Sequence, residues 1–476
     1  MPLILPGNVG SATAGGFNVA NSCRFNAPDD AYMHKTPSSD GSRRIGTFSI
    51  WIKPALNTSE GQYLFSGSPD ATTETSLGLS IDGDDLRFNG WTGNSQHMLL
   101  VTDRKFRDPS AWYHIVVAWD TTQGTASNRV KIYINGVQET SFSTETYPDQ
   151  NRDLNINNAS NKTLIGARST ANYAFADGYY SEVVMIDGTA LSPTSFGEFD
   201  SDSNIWKPID VSGLTFGTNG FYLDFQASGN LGNDANGGTD FTEVNLAATD
   251  QSTDTCTNNF CTMNSLDLYF TNDTLSEGNL LVTNGANYGF PISTFGLSSG
   301  KWYFECQTSS WTSGDLAVGI SARGSDALGD EFSNNTSGSI GYGFRSNGGV
   351  YGGGVALVAA DGYTTGSGAH IIGMAVNLDD NKLAFSVNGT WQGSTDPGAG
   401  TTNMLSIQAS STNDTGVYFI ALSGANSGAQ TMNANFGSPA FSISSGNTDG
   451  DGYGNFEYAV PSGYFSINTK NLAEYG

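Results

Sequence analysis

Asn447-Thr448-Asp449-Gly450-Asp451-Gly452 places oxygen-bearing side chains at alternate positions and then a glycine, as the opening of a calcium loop does. Such a loop closes with a bidentate Glu at its twelfth position. Here that position is Tyr458, Glu457 comes one residue early, and no flanking helices are predicted. Asp449 and Asp451 are therefore candidate metal ligands and calcium the candidate ion, with a plain acidic glycine turn as the competing reading. Asp82, Asp84 and Asp85 form a second acidic turn open to the same two readings.

Sugar recognition needs aromatic faces for stacking and amide or carboxylate groups for the hydroxyls. Trp91, Tyr173, Tyr179, Trp311 and Trp391 fall in or near predicted loops and are the candidate ligand-binding residues. Against this, rings at such positions also cap the ends of β-sandwiches. Glycoside hydrolysis would need two carboxyl groups about 5–10 Å apart. Glu182 and Asp187 bracket one strand, but their odd spacing sends them to opposite faces; Glu198 and Asp200 lie in a turn. Gly296-Leu297-Ser298-Ser299-Gly300 matches G-x-S-x-G, yet a strand follows it where a nucleophile elbow needs a helix. His34, His97, His114 and His370 are scattered, and His114 reads as a packed imidazole. No catalytic residue is predicted, and the chain is read as a non-enzyme.

The elements that would position these groups are strands. Trp112 to Trp119 is apolar on both faces, as in a central sandwich strand. Val130-Lys131-Ile132-Tyr133-Ile134 enters Asn135-Gly136, and Lys382 to Val387 enters Asn388-Gly389. Asn-Gly between strands marks a hairpin, because both turn positions need positive φ. No apolar 3.6-residue period persists for three turns. Short strands separated by frequent turns predict an all-β chain of two sandwich or jelly-roll domains. The expected boundaries are an N-terminal arm over 1–20, a sandwich over 21–228, a Gly/Asn-rich linker over 229–268 and a second sandwich over 269–476.

With 476 residues, the chain is long enough for two cores. Its 60 Gly follow no Gly-X-Y period and so imply turns. A net charge of −26 repels phosphate backbones and anionic headgroups, which argues against nucleic acid and membrane as partners. The first residues lack the pattern of a secretory signal, and no apolar run is long enough to span a bilayer. Cys256 and Cys261 could close a small loop; four free thiols are the simpler expectation.

Ala111-Trp112-Tyr113-His114-Ile115-Val116-Val117, Val130 to Gly136, Ile165-Gly166, Phe175 to Val183 and Ile186 to Ser192 occur in an order that resembles the laminin-G-like, concanavalin A-like family. That family includes glycoside hydrolases whose carboxylates sit in an ExDxxE-like run on one strand; no such run is present. Gly300 to Glu305, Val318-Gly319-Ile320, Gly341-Tyr342-Gly343, Gly373 to Gly393 and Asn435-Phe436-Gly437 make the second half similar to SPRY-type sandwiches. That resemblance implies a recognition module using loops at one end. Arg24-Phe25-Asn26, Phe106 to His114, Ser195 to Glu198, Trp206-Lys207-Pro208 and Asn219 to Phe225 resemble structural proteins of marine tailed phages.

These resemblances imply a virion-surface adhesion protein, made in the host cytoplasm and homo-oligomeric on the virion. Its arm would dock to other virion proteins, and its sandwiches would bind a host glycan or protein. The alternatives are a capsid or tail decoration protein and a glycan hydrolase. No heptad run or short repeat supplies a fibre stalk.

Overall fold

The strand Tyr113–Asp120 shows how the first sandwich is built. Ile115, Val117 and Trp119 enter its main core, while Val116 is buried on the other face with Val184, Ile186 and Phe216. A strand covered on both sides can be β-branched on both. It pairs antiparallel with Ile45–Pro54 and with Val130–Ile134. The next turn has φ of 48° at Asn135 and 79° at Gly136, as its Asn-Gly requires.

The computed structural model describes residues 16–476 apart from 56–60, 70–75, 94, 170–173, 270–272, 286–289, 312–315, 323–331, 333–340, 365, 367, 414 and 425–429. The described residues form two units, divided between Thr257 and Asn258.

In the first unit an eight-stranded sheet runs Val137–Gln138, Val130–Ile134, Tyr113–Asp120, Ile45–Pro54, Gly178–Asp187, Ser22–Phe25, Gln251–Ser252, with Phe221–Leu223 also paired to Gly178–Asp187. The second eight-stranded sheet runs Phe142–Thr146, Ser95–Lys105, Asp85–Thr92, Leu77–Asp82, Gln62–Ser68, Lys162–Ile165, Tyr32–Lys35, Thr242–Val244. The core lies between them, where Phe48 of one sheet stacks on Phe65 of the other at 4.2 Å.

In the second unit Lys301–Thr308 lies between His370–Asn377 and Thr431–Asn435 in an eight-stranded sheet. The seven-stranded sheet carries Ala317–Ser321 between Tyr342–Arg345 and Phe419–Ser423. Phe344 and Phe385 meet between the two sheets at 5.6 Å. Asn388 and Gly389 again take positive φ, 47° and 76°.

The expected linker is largely structure. Residues 229–257 complete the first unit, adding Thr242–Val244 to one sheet and Gln251–Ser252 to the other. Leu231 and Phe241 enter its core. Three aspartates of this stretch pair with cations of the sandwich: Asp234 with Lys35 at 3.3 Å, Asp250 with Arg24 at 3.0 Å, and Asp254 with Lys53 at 2.7 Å. The polar composition that reads as a linker is the complement of those cations. The expected arm is also shorter where it is described. Val19 donates its N–H to Thr257 Oγ1 and accepts from Thr255 Oγ1, which ties residues 16–20 into the same unit. Residues 1–15 lie outside the described set.

One α-helix, Thr469–Tyr475, has no counterpart in the sequence pattern. Two turns are too short for a 3.6-residue period to register. Its N-cap Asn468 accepts from Asn471 N–H at 3.0 Å, and its Leu472 is buried. All four cysteines are free. Among the described residues no helix is long and apolar enough to cross a membrane.

Candidate functional site

A cleft of about 370 Å³ opens on the outer side of the first unit's first sheet. Behind its wall lies a β-bulge. Gly178–Asp187 slips register against Ile45–Pro54 between Ser181 and Val184, and Glu182 there takes a left-handed φ of 49°. A non-glycine residue in that region is strained and must be held by its surroundings. The bulge brings the Glu182 carboxylate to the Tyr222 hydroxyl, which donates to Oε2 at 2.7 Å. Burial pushes the Glu182 carboxyl up to about 7; the Tyr222 hydrogen bond opposes the rise, and Asp224 and Asp210 add to it.

Tyr222 is held on the edge strand Phe221–Leu223, its N–H donating to Asp234 Oδ1 and its carbonyl accepting from Ala235 N–H. Its ring lies nearly parallel to Phe216, with centroids 6.4 Å apart. Phe17, half-buried, lines the cleft with the largely buried rings of Phe216 and Tyr222, and Asp210, Ser212, Asp224, Gln226 and Asn236 give it polar groups. Asp210 Oδ1 accepts from Ser212 N–H and Asp224 Oδ1 from Gln226 N–H. Asp210 is exposed, and its bonds with Ser212 hold its carboxyl below the usual range. Rings beside hydrogen-bonding carboxylates and an amide can take a saccharide, its apolar face on the rings and its hydroxyls on the oxygens.

The sequence-predicted ligand residues do not converge on this cleft. Tyr179 and Trp311, expected near loops, are core side chains: Lys53 Nζ lies 5.6 Å from the Tyr179 ring centroid, and Trp311 packs on Phe344. Trp391 is half-buried, edge-on to Tyr303. Trp91 is half-buried at the end of Asp85–Thr92, its backbone bonded to Ser76 and its carbonyl also accepting from Asn155 Nδ2. Tyr173 lies outside the described residues.

The candidate calcium ligands are engaged otherwise. Asp449 Oδ1 accepts from the N–H groups of Asp451 and Tyr453. Its Oδ2 accepts from Ser466 N–H, Ser466 Oγ and Asn471 Nδ2. Five protein donors fill this carboxylate, so it is a structural clasp for the C-terminal segment. Asp451 Oδ2 accepts from the Tyr475 hydroxyl. In the other acidic turn Asp82, Asp84 and Asp85 pair with Arg87, Arg107 and Lys105. Among the described residues no group of three or more His, Cys, Asp or Glu could hold a metal ion.

The other carboxylates weighed for catalysis are similarly occupied. Asp187 accepts from Ser42 N–H, Asn219 N–H and Asn157 Nδ2, and Glu198 and Asp200 share Lys207. His114 is buried between Trp51 and Trp206. Trp206 Nε1 donates to its Nδ1, which leaves Nε2 to donate to Ser49 Oγ; burial drives this imidazole down to about 3.

Residues 29–195 match the family model Laminin_G_3, the concanavalin A-like lectin/glucanases superfamily. The fold of the first unit is concanavalin A-like. The similar solved structures include the SPRY domain of human HERC1, at 12% identity and a TM-score of 0.29 over 36% of this chain and 96% of that one. A putative carbohydrate binding protein from Bacteroides ovatus is similar at 15% identity and TM-score 0.30, over 48% and 58%. Domains LG4-5 of the mouse laminin alpha1 chain are similar at 10% identity and TM-score 0.28, over 87% and 85%. No curated protein matches.

The concanavalin A-like match ends at residue 195, so most of the cleft wall lies beyond it. Sequence reasoning missed Asp210, Phe216, Tyr222 and Asp224 as cleft residues, and Glu182 as the carboxyl behind them. Tyr222 and Asp224 fall in the Asn219 to Phe225 stretch quoted for its resemblance, which says nothing of a cleft; Asp210 and Phe216 carry no local signal.

Proposed function

We propose that this protein binds glycan without catalysis, through the cleft of its concanavalin A-like unit, on the surface of a tailed-phage virion. The cleft itself carries the reading: three aromatic residues and the polar side chains of Asp210, Ser212, Asp224, Gln226 and Asn236 line one opening large enough for a sugar. The likeness to phage structural proteins supports the virion setting, with the N-terminal arm docking to other virion proteins in a homo-oligomer. The second sandwich would contact a protein partner. Glu182, the carboxyl raised to about 7, sits behind Tyr222 and is not among the residues lining the cleft, so it is not read as a general acid, which must reach the scissile bond.

Glycan binding by the purified chain, read on a broad host-polysaccharide panel, tests this. Saturable binding that blocks phage adsorption, and that weakens in Gln226→Ala and Phe17→Ala with the melting temperature unchanged, is the expected outcome. Release of reducing ends would instead favour a hydrolase. Failure to bind any glycan, with re-docking onto stripped virions, would favour a decoration role.

A further inference from the structure

The cleft is lined by carboxylates, and no Lys, Arg or His is among its lining residues. Asp224 uses one oxygen on the Gln226 backbone N–H, which leaves the other for a ligand; Asp210 is exposed and bonded by both the backbone N–H and the hydroxyl of Ser212. Behind the wall, Glu182 is 5% exposed, and among the described residues its Oε1 meets no donor. The cation near the entrance is Lys207, close to Gly16, and it is already shared by Asp200 at 3.1 Å and Glu198 at 3.4 Å.

We infer that this cleft selects saccharides bearing a protonated amine over neutral or anionic ones, an inference that rests on the glycan-binding reading above. An ammonium group donates strong charge-assisted hydrogen bonds to carboxylates and is attracted to aromatic faces, and Phe17, Phe216 and Tyr222 supply those faces beside Asp210 and Asp224. A uronic or sialic acid would bring another negative charge to a site already lined by Asp210 and Asp224. The net charge of −26 adds to the selection by raising the local concentration of cations.

The decisive probes are three oligosaccharides of equal length: a glucosamine oligomer, its N-acetylated counterpart and an oligo-uronate. Each is titrated against the full chain by calorimetry at mildly acid pH. The glucosamine oligomer should bind at least about tenfold more tightly than the N-acetylated one, and the uronate should not bind. The double variant Asp210→Asn, Asp224→Asn should lose the preference but keep weak binding of the neutral oligomer. Asp210 is exposed and Asp224 half-buried, and an unchanged melting temperature would confirm that the variant folds. Equal binding of the amino and N-acetylated oligomers would overturn the inference while leaving glycan binding intact. Undiminished preference in the double variant would also overturn it, because the field of the whole molecule would then be the attractant. Binding of none of the three would sink both readings.

Discussion

The two units fasten their closing segments by different chemistry. In the first, residues 229–257 are held by ion pairs, and the deepest of these, Lys53–Asp254, has both side chains 1% exposed. Trp112 Nε1 donates to the other oxygen of Asp254 at 3.0 Å. In the second unit the tail is held by carboxylates that face hydrogen-bond donors. Glu305 accepts from the N–H groups of Glu457 and Tyr458, from the Tyr303 hydroxyl and from Asn435 Nδ2. Asp449 takes its five donors from 451–471. Both devices anchor polar, turn-rich chain to a sandwich that offers it few ladder bonds. They should fail differently: deleting one member of an ion pair strands a buried charge, whereas deleting a clasp carboxylate strands several weaker donors.

The largest expected effect is therefore Asp254→Ala. It removes the carboxylate that pairs with the buried Lys53 and should cost about 3–5 kcal/mol. Calorimetry should show the first unit's transition falling and the second unit's unmoved. A double replacement, Lys53→Met with Asp254→Leu, should recover most of the loss. A loss below about 1 kcal/mol in the single variant would erase the contrast between the units.

Asp449→Asn should be milder, at about 2–3 kcal/mol in the second unit, as charge-assisted bonds weaken and an NH2 group meets donors. Chemical denaturation checks it.

Glu182 comes next, and its sign follows from its raised folded-state value. The unfolded group ionises near 4.5, so the folded state is favoured below that pH and loses stability as pH rises toward about 7. Glu182→Gln should remove this loss and be more stable than the parent by about 2 kcal/mol at slightly alkaline pH. Melting curves on either side of neutrality decide it; parallel pH profiles would refute it. The groups facing this carboxyl are Tyr222, Asp224 and Asp210, and all three remain in the variant.

The smallest effect belongs to Arg107→Ala, whose pair with Asp84 lies on the surface. It should cost no more than about 0.5 kcal/mol and vanish in high salt. A larger loss would show that exposure does not separate the two kinds of ion pair.

Much of the fold was legible because its signals are local. An apolar run on both faces identified Tyr113–Asp120 as a central strand, and it is buried on both. Asn135-Gly136 and Asn388-Gly389 announced their hairpins because positive φ is a property of those residues. The stretch 229–257 was misread because polarity was taken for solvation. Nothing near Asp234 or Asp254 indicates that their cations sit 199 and 201 residues earlier. The site was less legible still. Tyr179 and Trp311 are aromatic and flanked by turn residues, but sandwich closure buries them. An acidic, glycine-rich turn around Asp449 looks like a cation loop until Ser466 and Asn471 arrive to fill the carboxylate.

By itself, then, the sequence determined the strands, the hairpins, the two-sandwich organisation and the acidic surface, since each depends on residue type or on neighbours a few positions away. Only the tertiary structure decided which carboxylates are spent on cations, which clasp the tail and which are left for a ligand. The cleft brings together Phe17, Asp210, Phe216 and Tyr222, with Glu182 turned toward them by one bulge. That convergence is set by sheet order and register, which arise from long-range pairing and leave no periodic trace along the chain.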